Sequence, residues 1–182
     1  MCKQCKTNPV YEFTNQRKLC KNCFIDYFQR KVLFTIRKFG LIKREDIVGY
    51  KKGNSFRSVV LEYVLLLISK KYGFNILKLP NKSTNKIAVD STLDSESEEI
   101  IETFIEGDIS KLNQILPYDK NFIKPLYLFL DEEVLLYARL KNLKFEDVKK
   151  RKNRINNFLD DFEKKHPEVK RAIINSVLEL YN

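Results

Sequence analysis

The residues DIVGYKKGNSFRSVVLEYVLLLISKK, numbers 46–71, decide the fold class of this 182-residue chain. Residues 46–50 predict a short strand, residues 51–55 a polar loop, and residues 56–71 a helix that is apolar nearly all round. Such a helix is buried, and Ser55 stands where a helix N-cap is expected. A strand that leads through a short loop into a buried helix indicates a parallel α/β sheet.

Short strands and helices continue to alternate toward the C-terminus. Strands are predicted at residues 75–79 and 86–89, and a fully buried strand at residues 126–130 (LYLFL). Helices are predicted at residues 94–106, 131–140, 145–165 and 168–181. Asp94 is the expected cap of the first of these helices, and Gly107 its expected end. The single histidine, His166, falls in the turn between the last two helices and has no neighbouring nucleophile with which to form a triad.

The N-terminal segment contains all four cysteines of the chain, as Cys2-x2-Cys5 and Cys20-x2-Cys23. Two residues between thiols allow both sulfurs to reach one ion in tetrahedral geometry. The pattern predicts a structural zinc site on a small ribbon, with the thiols in a reducing cytosol because no signal peptide precedes them. A redox CxxC and an iron–sulfur cluster are the alternatives, but the redox motif needs a βαβ context that is missing here. A zinc site would leave no thiol for nucleophilic catalysis.

Positive charge is concentrated in the first third of the chain. The net charge is +10, and residues 1–60 hold 14 basic and four acidic residues, whereas residues 61–182 hold 20 of each. Such a patch attracts nucleic acids, because binding releases counterions from phosphates. Residues 24–39 predict a basic amphipathic helix after the ribbon. The predicted RNA contacts are Lys18, Lys21, Arg30, Lys31, Arg37, Lys38, Lys51 and Lys52. Two alternatives to RNA binding stay open: the positive charge reflects a generally lysine-rich composition, or the helix only packs on the core and exposes its basic face to solvent.

The hydropathy pattern gives no indication of a membrane protein. The longest apolar run, residues 63–68, is far shorter than the ~20 residues that span a bilayer. The expected location is therefore the cytoplasm, without membrane association.

Several segments resemble, in the same order, the PP-loop tRNA thiolation proteins. The cysteine module and basic helix resemble their N-terminus, and residues 53–61 (GNSFRSVVL) fall where the superfamily has SGGxDS and an apolar helix. Residues 86–92 (KIAVDST) fall where it has a strand and a GHNxDD-like or GDSxT-like turn. Further similar segments are residues 105–108, 123–126, 132–138 and 158–167. The resemblance implies a reduced PP-loop (adenine nucleotide alpha hydrolase-like) α/β fold, with tRNA as the partner.

The presumed pyrophosphate loop differs from the superfamily pattern. Aligned on the last serine of SGGxDS, only Ser58 matches; Arg57 replaces the aspartate, Asn54 and Ser55 replace the glycines, and Gly53 lies one residue out of register. Cβ atoms at glycine positions block the approach of phosphates to backbone N–H groups. ATP is therefore not expected as a cofactor, although Lys51, Lys52 and Arg57 could still contact a phosphate.

Within the superfamily, the pattern most resembles the cytoplasmic tRNA 2-thiolation protein 2 family, which is the non-catalytic subunit. That resemblance implies a partner, either an active PP-loop thiolase subunit or a second copy, in 2-thiolation of the tRNA wobble uridine. The predicted organisation is a zinc ribbon (1–26), a basic connecting helix (27–44), a degenerate PP-loop-like α/β domain (45–142) and a C-terminal helical pair (143–182). Two alternatives stay open: a stand-alone zinc-ribbon RNA-binding protein, and an ATP-dependent tRNA-adenylating thiolase with an external sulfur source.

Overall fold

The computed structural model of the protein describes residues 1–146 and 154–181. The strands are β1 (Tyr11–Glu12), β2 (Lys18–Leu19), β3 (Ile47–Tyr50), β4 (Asn75–Lys78), β5 (Lys86–Ala88), β6 (Tyr118–Asp119) and β7 (Phe122–Ile123). The helices are α1 (Lys21–Lys38), α2 (Phe56–Tyr72), α3 (Leu93–Glu106), α4 (Leu112–Ile115), α5 (Asp131–Leu140), α6 (Arg154–Lys165) and α7 (Val169–Leu180). A 3-10 turn, Ile109–Lys111, leads into α4.

The central sheet has the strand order β4-β3-β5-β7-β6. β3 pairs in parallel with both β4 and β5, and β5 pairs in parallel with β7, so that only β6 is antiparallel. The expected α/β fold with a mostly parallel sheet is therefore confirmed. The chain leaves β3 toward one side through α2 and β4, then crosses to the other side of β3 as β5. This reversal creates a crevice at the carboxyl ends of β3 and β5.

The helix predicted at residues 56–71 is confirmed as α2, one residue longer. The Ser55 side chain accepts a hydrogen bond from the Ser58 N–H, and Gly73, at φ 73°, ends the helix. Gly73 suits this position because a left-handed conformation strains residues that carry a Cβ. The buried residues Val60, Leu61, Val64, Leu65 and Ile68 follow the helical period and face the main core.

The ribbon and α1 belong to the same apolar cluster as the sheet. Leu19 of β2 and Phe24 and Phe28 of α1 are buried in the cluster that contains Val48 of β3. The Phe28 ring stacks on Tyr137 of α5 with ring centroids 4.0 Å apart. α1 begins at Lys21, three residues before the predicted start, because the second cysteine pair forms its first turn. The position of α1 is therefore fixed both by the cysteine module and by the main core.

The strand predicted at residues 126–130 is wrong. This segment forms consecutive turns, in which Tyr127 N–H donates to the Lys124 carbonyl and Phe129 N–H to the Leu126 carbonyl. Its residues are apolar because they fill two clusters: Leu126 and Phe129 lie in the main core, whereas Tyr127 and Leu130 lie in a second cluster with α3, α4 and α7. The periodicity of a short apolar run cannot tell a buried strand from buried turns that fill two clusters. The fourth parallel strand is β7, immediately before this segment.

Helix boundaries in the second half are close to those predicted, but the N-cap of α3 differs, and residues 145 and 146, predicted as the start of a helix, are not helical. The N-cap of α3 is Thr92, not Asp94, whose carboxylate instead accepts hydrogen bonds from Lys170 and the Asp131 N–H. Gly107 ends α3 as expected. Of the helix predicted at residues 145–165, the structure describes α6, and residues 147–153 lie outside the described residues. His166 is exposed in the turn between α6 and α7, as predicted.

Candidate metal centre and nucleotide-type cleft

The four cysteines converge on one point beside the start of α1. Cys2 and Cys5 lie on a turn closed by hydrogen bonds from Lys6 N–H to the Cys2 carbonyl and from Cys2 N–H to the Thr7 carbonyl. Cys20 immediately precedes α1, and Cys23 lies in its first turn. The four Sγ atoms all lie within 4.8 Å of one another, so the structure brings together every predicted metal ligand.

The sulfur spacing fits a single tetrahedral ion. A Zn–S bond of ~2.3 Å in tetrahedral geometry sets the sulfurs roughly 3.8 Å apart. The Sγ atoms of Cys5 and Cys20 are 3.2 Å apart, and those of Cys5 and Cys23 are 3.7 Å apart. In a four-iron cluster each thiolate binds a different iron, which requires a wider separation. Hydrogen bonding, first from Thr7 and then from the Cys23 backbone, lowers the pKa of Cys20 to about 6, whereas burial and hydrogen bonds with the neighbouring thiols raise the pKa of Cys23 to about 12, so the four thiols do not ionise alike.

A cleft of about 510 Å³ opens at the carboxyl ends of β3 and β5. Lys51, Lys52 and Gly53 follow β3 and form one side, and Asp90 follows β5 and lies opposite. Further lining comes from apolar side chains, namely Leu61, Leu79, Ile87, Val89 and Phe122. Ligands of parallel α/β sheets bind at this kind of strand reversal. The position and size of the cleft are therefore those of a nucleotide-type site.

The phosphate-binding end of this cleft is occupied by the protein's own groups. Phosphates bind to free backbone N–H groups in the first turn of a helix. Here the Ser55 hydroxyl already accepts from the Ser58 N–H, with a nitrogen–oxygen distance of 3.1 Å. The Ser58 hydroxyl in turn donates to the Asp90 carboxylate. A Cβ at Gly53 would lie 2.6 Å from the Ser58 Oγ, so the loop is also closely packed against the helix.

The predicted nucleotide-binding residues have separate roles. Gly53 and Ser58 line the cleft, and Ser55 caps α2. Asn54 points away to Glu146, which accepts a hydrogen bond from the Asn54 side chain at 3.0 Å. Arg57 is also directed elsewhere and forms an ion pair with the Asp131 carboxylate, and its contact with a phosphate stays a prediction.

Asp131 joins several elements at the start of α5. Besides Arg57, its carboxylate accepts a hydrogen bond from the buried Thr92 hydroxyl at 2.7 Å. Burial lowers the pKa of the Arg57 guanidinium, but the hydrogen bond and charge of Asp131 outweigh burial and the net pKa is raised. Arg57 is therefore a charged structural group that links α2, α3 and α5.

All eight predicted RNA contacts are exposed or half-buried, but one of them, Lys31, has a buried partner. Lys21, Arg37, Lys38, Lys51 and Lys52 are exposed and form no ion pair with another described residue. Lys18 pairs with Glu12 and Arg30 with Asp26, and both pairs are solvated. Lys31 is the exception: its side chain is 13% exposed, and its Nζ lies 2.9 Å from Glu133, which is fully buried.

Lys31 has a structural role that the sequence did not indicate. Its position on α1 is at the border of the buried face, where α5 covers it. Burial lowers the pKa of Lys31, and the Glu133 charge opposes that shift. Glu133 also accepts hydrogen bonds from the Tyr27 hydroxyl and the Leu130 N–H. Lys31 thus attaches α1 to α5 through the buried Glu133, and its contact with RNA stays a prediction.

Asp90 was not among the residues predicted for the site. Its placement at the end of the strand predicted for residues 86–89 was a usable signal, because residues that follow parallel strands face the ligand crevice. Its hydrogen bond with Ser58, 32 positions earlier in the chain, was not readable from the sequence.

Comparison with known proteins supports the fold. No protein-family model matches the chain. A curated protein of Methanocaldococcus jannaschii, named a probable sulfurtransferase, is 27% identical over 170 residues, which cover 77% of this chain and 46% of the relative. The chain thus spans about half the length of that relative. The solved U34-tRNA thiolase NcsA from Methanococcus maripaludis, determined with its 4Fe–4S cluster, matches 98% of this chain and 86% of its own with a TM-score of 0.78 and 20% identity.

The structural likeness shows that this chain has the α/β fold of a PP-loop thiolase. Both neighbours are named for sulfur transfer, which supports the resemblance to the tRNA thiolation superfamily. The narrower likeness to its non-catalytic subunit stays a prediction. Among the described residues, no helix is long and apolar enough to cross a bilayer.

Proposed function

We propose that this chain is a non-catalytic, tRNA-binding subunit in 2-thiolation of the wobble uridine, and that a separate ATP-binding thiolase supplies the chemistry. The observation that carries this proposal is the occupied first turn of α2. The Ser55 hydroxyl accepts a hydrogen bond from the Ser58 N–H, and the Asp90 carboxylate accepts one from the Ser58 hydroxyl. A triphosphate bound in this fold would need both of these Ser58 donors for its own oxygens.

The Asp90 carboxylate also opposes a triphosphate by its charge. A phosphate that replaced Ser55 at the Ser58 N–H would lie near this carboxylate, because the same serine binds Asp90 through its hydroxyl. At an effective dielectric constant of ~20, two like unit charges about 5 Å apart repel by roughly 3 kcal/mol. Lys51 and Lys52 can offset part of this repulsion, but both are exposed and therefore screened by salt. The balance disfavours ATP.

The cysteine module supports the same proposal. All four cysteines of the chain converge within 4.8 Å of one another, so a bound ion would occupy every thiol that could carry sulfur. We assign zinc to this site because the sulfur spacing suits a single ion, and because a four-thiolate site is closed and has no open position for a substrate. Its role is then to fix the ribbon and the start of α1.

The exposed cations of the ribbon and α1 are the proposed RNA contacts. Lys21 lies at the first turn of α1, and Arg37 and Lys38 at its last turn, so the helix offers positive charge over about 25 Å at 1.5 Å per residue. Lys51 and Lys52 add charge at the cleft mouth. These contacts would hold the phosphate backbone, while the thiolase partner reaches the uridine. We place this reaction in the cytoplasm, because the family that the sequence resembles modifies tRNA there.

Reconstitution of thiolation tests the proposal directly. Purified chain, an ATP-binding tRNA thiolase from the same organism, tRNA, Mg-ATP and a sulfide source are combined, and 2-thiouridine is measured by mass spectrometry. We expect product only when the thiolase is present, and more of it when this chain is added. Formation of 2-thiouridine by this chain alone would refute the non-catalytic role.

Binding measurements test the two surfaces separately. Calorimetry with Mg-ATP is expected to show no heat. The triple variant Lys21→Gln/Arg37→Gln/Lys38→Gln should bind tRNA more weakly and with a shallower dependence on salt, because fewer counterions are released. The matched control, Lys78→Gln/Lys82→Gln/Lys144→Gln, removes the same charge from exposed positions outside the ribbon and α1. Equal loss in both variants would mean that net charge, not this surface, governs binding.

A catalytic role is the alternative, since both named neighbours are sulfur-transfer proteins and the cleft volume of about 510 Å³ can accommodate a nucleotide. In that case Mg-ATP would bind, Ser55 and Asp90 would rearrange, and sulfur would come from an external donor. The same calorimetry and single-protein thiolation assays distinguish the two roles.

A further inference from the structure

Helix α6 presents its aromatic side chains to the solvent. Leu159 is the one buried residue of this helix, whereas Phe158 is 57% and Phe162 39% exposed. The two rings are nearly parallel, with centroids 5.8 Å apart and an interplanar angle of 11°. His166, in the turn after the helix, continues the row, with its ring centroid 4.8 Å from that of Phe162. Steps of four residues place Phe158, Phe162 and His166 along one face, which we call the aromatic ladder.

The aromatic ladder is not needed to attach α6 to the rest of the protein. The inner face of α6 attaches through Leu159 and through the buried Lys170 of α7. The Lys170 ammonium lies 2.6 Å from Glu163 and 3.3 Å from Asp160, and it also pairs with Asp94 of α3. Contiguous exposed apolar surface of this kind typically marks a binding site.

Cations flank the aromatic ladder at both ends. Arg154 begins α6 and Lys165 ends it; both are exposed, and neither forms an ion pair with another described residue. The third carboxylate of α6, Asp161, does not compensate them, because it pairs with Lys164 at 2.7 Å. Flat aromatic surface between two such cations is complementary to a nucleotide, whose base stacks on a ring and whose phosphates attract the cations.

The end of the aromatic ladder lies beside the ribbon. The Thr14 hydroxyl, in the loop between β1 and β2, donates a hydrogen bond to the Glu168 carboxylate, in the turn between α6 and α7. Thr14 also lines a cavity of about 400 Å³ together with Glu163 and Pro167. RNA held at Lys18 of β2 can therefore continue onto α6.

We propose that the aromatic ladder of α6 is a stacking site for unpaired RNA bases. A base would stack on the exposed Phe158 or Phe162 ring, and Arg154 and Lys165 would attract the neighbouring phosphates. Every base has a flat face, so stacking tolerates many sequences and selects single-stranded RNA. The proposal rests on the RNA-binding role proposed above, and it adds a contact that charge alone does not provide.

Fluorescence titration of the zinc-loaded full chain tests this site, with a short single-stranded RNA that carries 2-aminopurine, a base whose emission is quenched by stacking. Phe158→Leu/Phe162→Leu keeps apolar side chains and removes the rings, so it should lose the quenching and bind this RNA at least about fivefold more weakly. Phe158→Tyr/Phe162→Tyr keeps the rings and should bind like wild type. The matched control Phe104→Leu removes an exposed aromatic residue of α3 and should also bind like wild type. Unchanged far-UV circular dichroism verifies that the variants are folded.

An abasic probe and a salt series separate stacking from phosphate contact. The same RNA backbone without bases should bind wild type and the leucine variant equally. The leucine variant should also keep the wild-type salt dependence, because it removes no cation, whereas Lys21→Gln/Arg37→Gln/Lys38→Gln makes that dependence shallower. Equal affinity of wild type and the leucine variant for the base-containing RNA would overturn the proposal.

Two further outcomes distinguish this site from the function proposed above. A leucine variant that keeps its RNA affinity but no longer binds the thiolase would mean that the aromatic ladder docks a protein, which overturns the stacking site. Wild type that binds the RNA with quenching, yet forms 2-thiouridine alone, would refute the non-catalytic role and support the stacking site. Wild type that binds no RNA would overturn both.

Discussion

The buried ion pair between Lys31 and Glu133 provides the sharpest test of the packing. Glu133 is fully buried, and its carboxylate lies 2.9 and 3.1 Å from the Lys31 Nζ. Glu133→Gln keeps the shape and removes the negative charge, so that Lys31 becomes a buried cation without its counterion. Loss of one partner of a buried pair costs about 3–5 kcal/mol.

The corresponding change in melting temperature is large enough to measure. For 182 residues, an unfolding entropy of ~2.1 cal/mol/K per residue gives roughly 0.4 kcal/mol/K, so a loss of 3–5 kcal/mol lowers the Tm by about 8–13 °C. The assay is calorimetry on zinc-loaded protein at one fixed concentration. Zinc and concentration are held constant because metal binding and self-association both shift the apparent stability.

The double variant Lys31→Met/Glu133→Gln separates the missing charge from the missing contacts. It removes both charges and should recover at least about 1 kcal/mol relative to Glu133→Gln, because no buried cation is left unpaired. Glu106→Gln, which breaks the exposed pair with Lys111, is the matched surface control and should melt like wild type. Losses that simply add in the double variant would refute the interpretation.

In addition, Lys31→Met should leave tRNA affinity unchanged, in contrast to Lys38→Gln.

Three further predictions concern the cleft and the metal centre. Gly53→Ala should destabilise the fold by about 1–3 kcal/mol in urea unfolding, because its Cβ would lie 2.6 Å from the Ser58 Oγ; Gly53 lies outside the left-handed region, so this clash is the expected cause, and unchanged stability would contradict it. Asp90→Asn should strengthen pyrophosphate binding, measured by calorimetry, since it removes the charge that opposes an anion, and unchanged affinity would show that Ser55 alone blocks the site. Cys5→Ser should lower the zinc content determined by mass spectrometry and the Tm, and a fully metal-loaded variant would contradict the four-sulfur assignment.

The core of the fold was predictable from local patterns. α2 carries its own cap in Ser55 and its own stop in Gly73, and the neighbouring short strands are bounded by polar loops. Such signals act over a few residues, so they are readable without tertiary information. The segment at 126–130 was not predictable, because its apolar residues satisfy two different clusters and periodicity records only that they are buried.

The sequence predicted the cysteine cluster more completely than it predicted the partners of the basic residues. The cysteine spacing identified the four candidate metal ligands that the structure brings together, since two residues between thiols suffice to bring both sulfurs to one ion. Charge identified most of the exposed cations, but could not show that Lys31 turns toward Glu133 on a helix more than a hundred residues later. The role of Asp90 likewise depends on a contact between two strand ends.

By itself, the sequence determined the class of fold, the sulfur ligands and the location of the positive charge, because each follows from spacing or composition within short segments. Only the tertiary structure decided which polar groups use each other as partners: Ser55 and Asp90 with Ser58, Arg57 with Asp131, and Lys31 with Glu133. The reason is physical. A buried charge or N–H must find a partner, and that partner is selected by distance in space, whatever its distance along the chain.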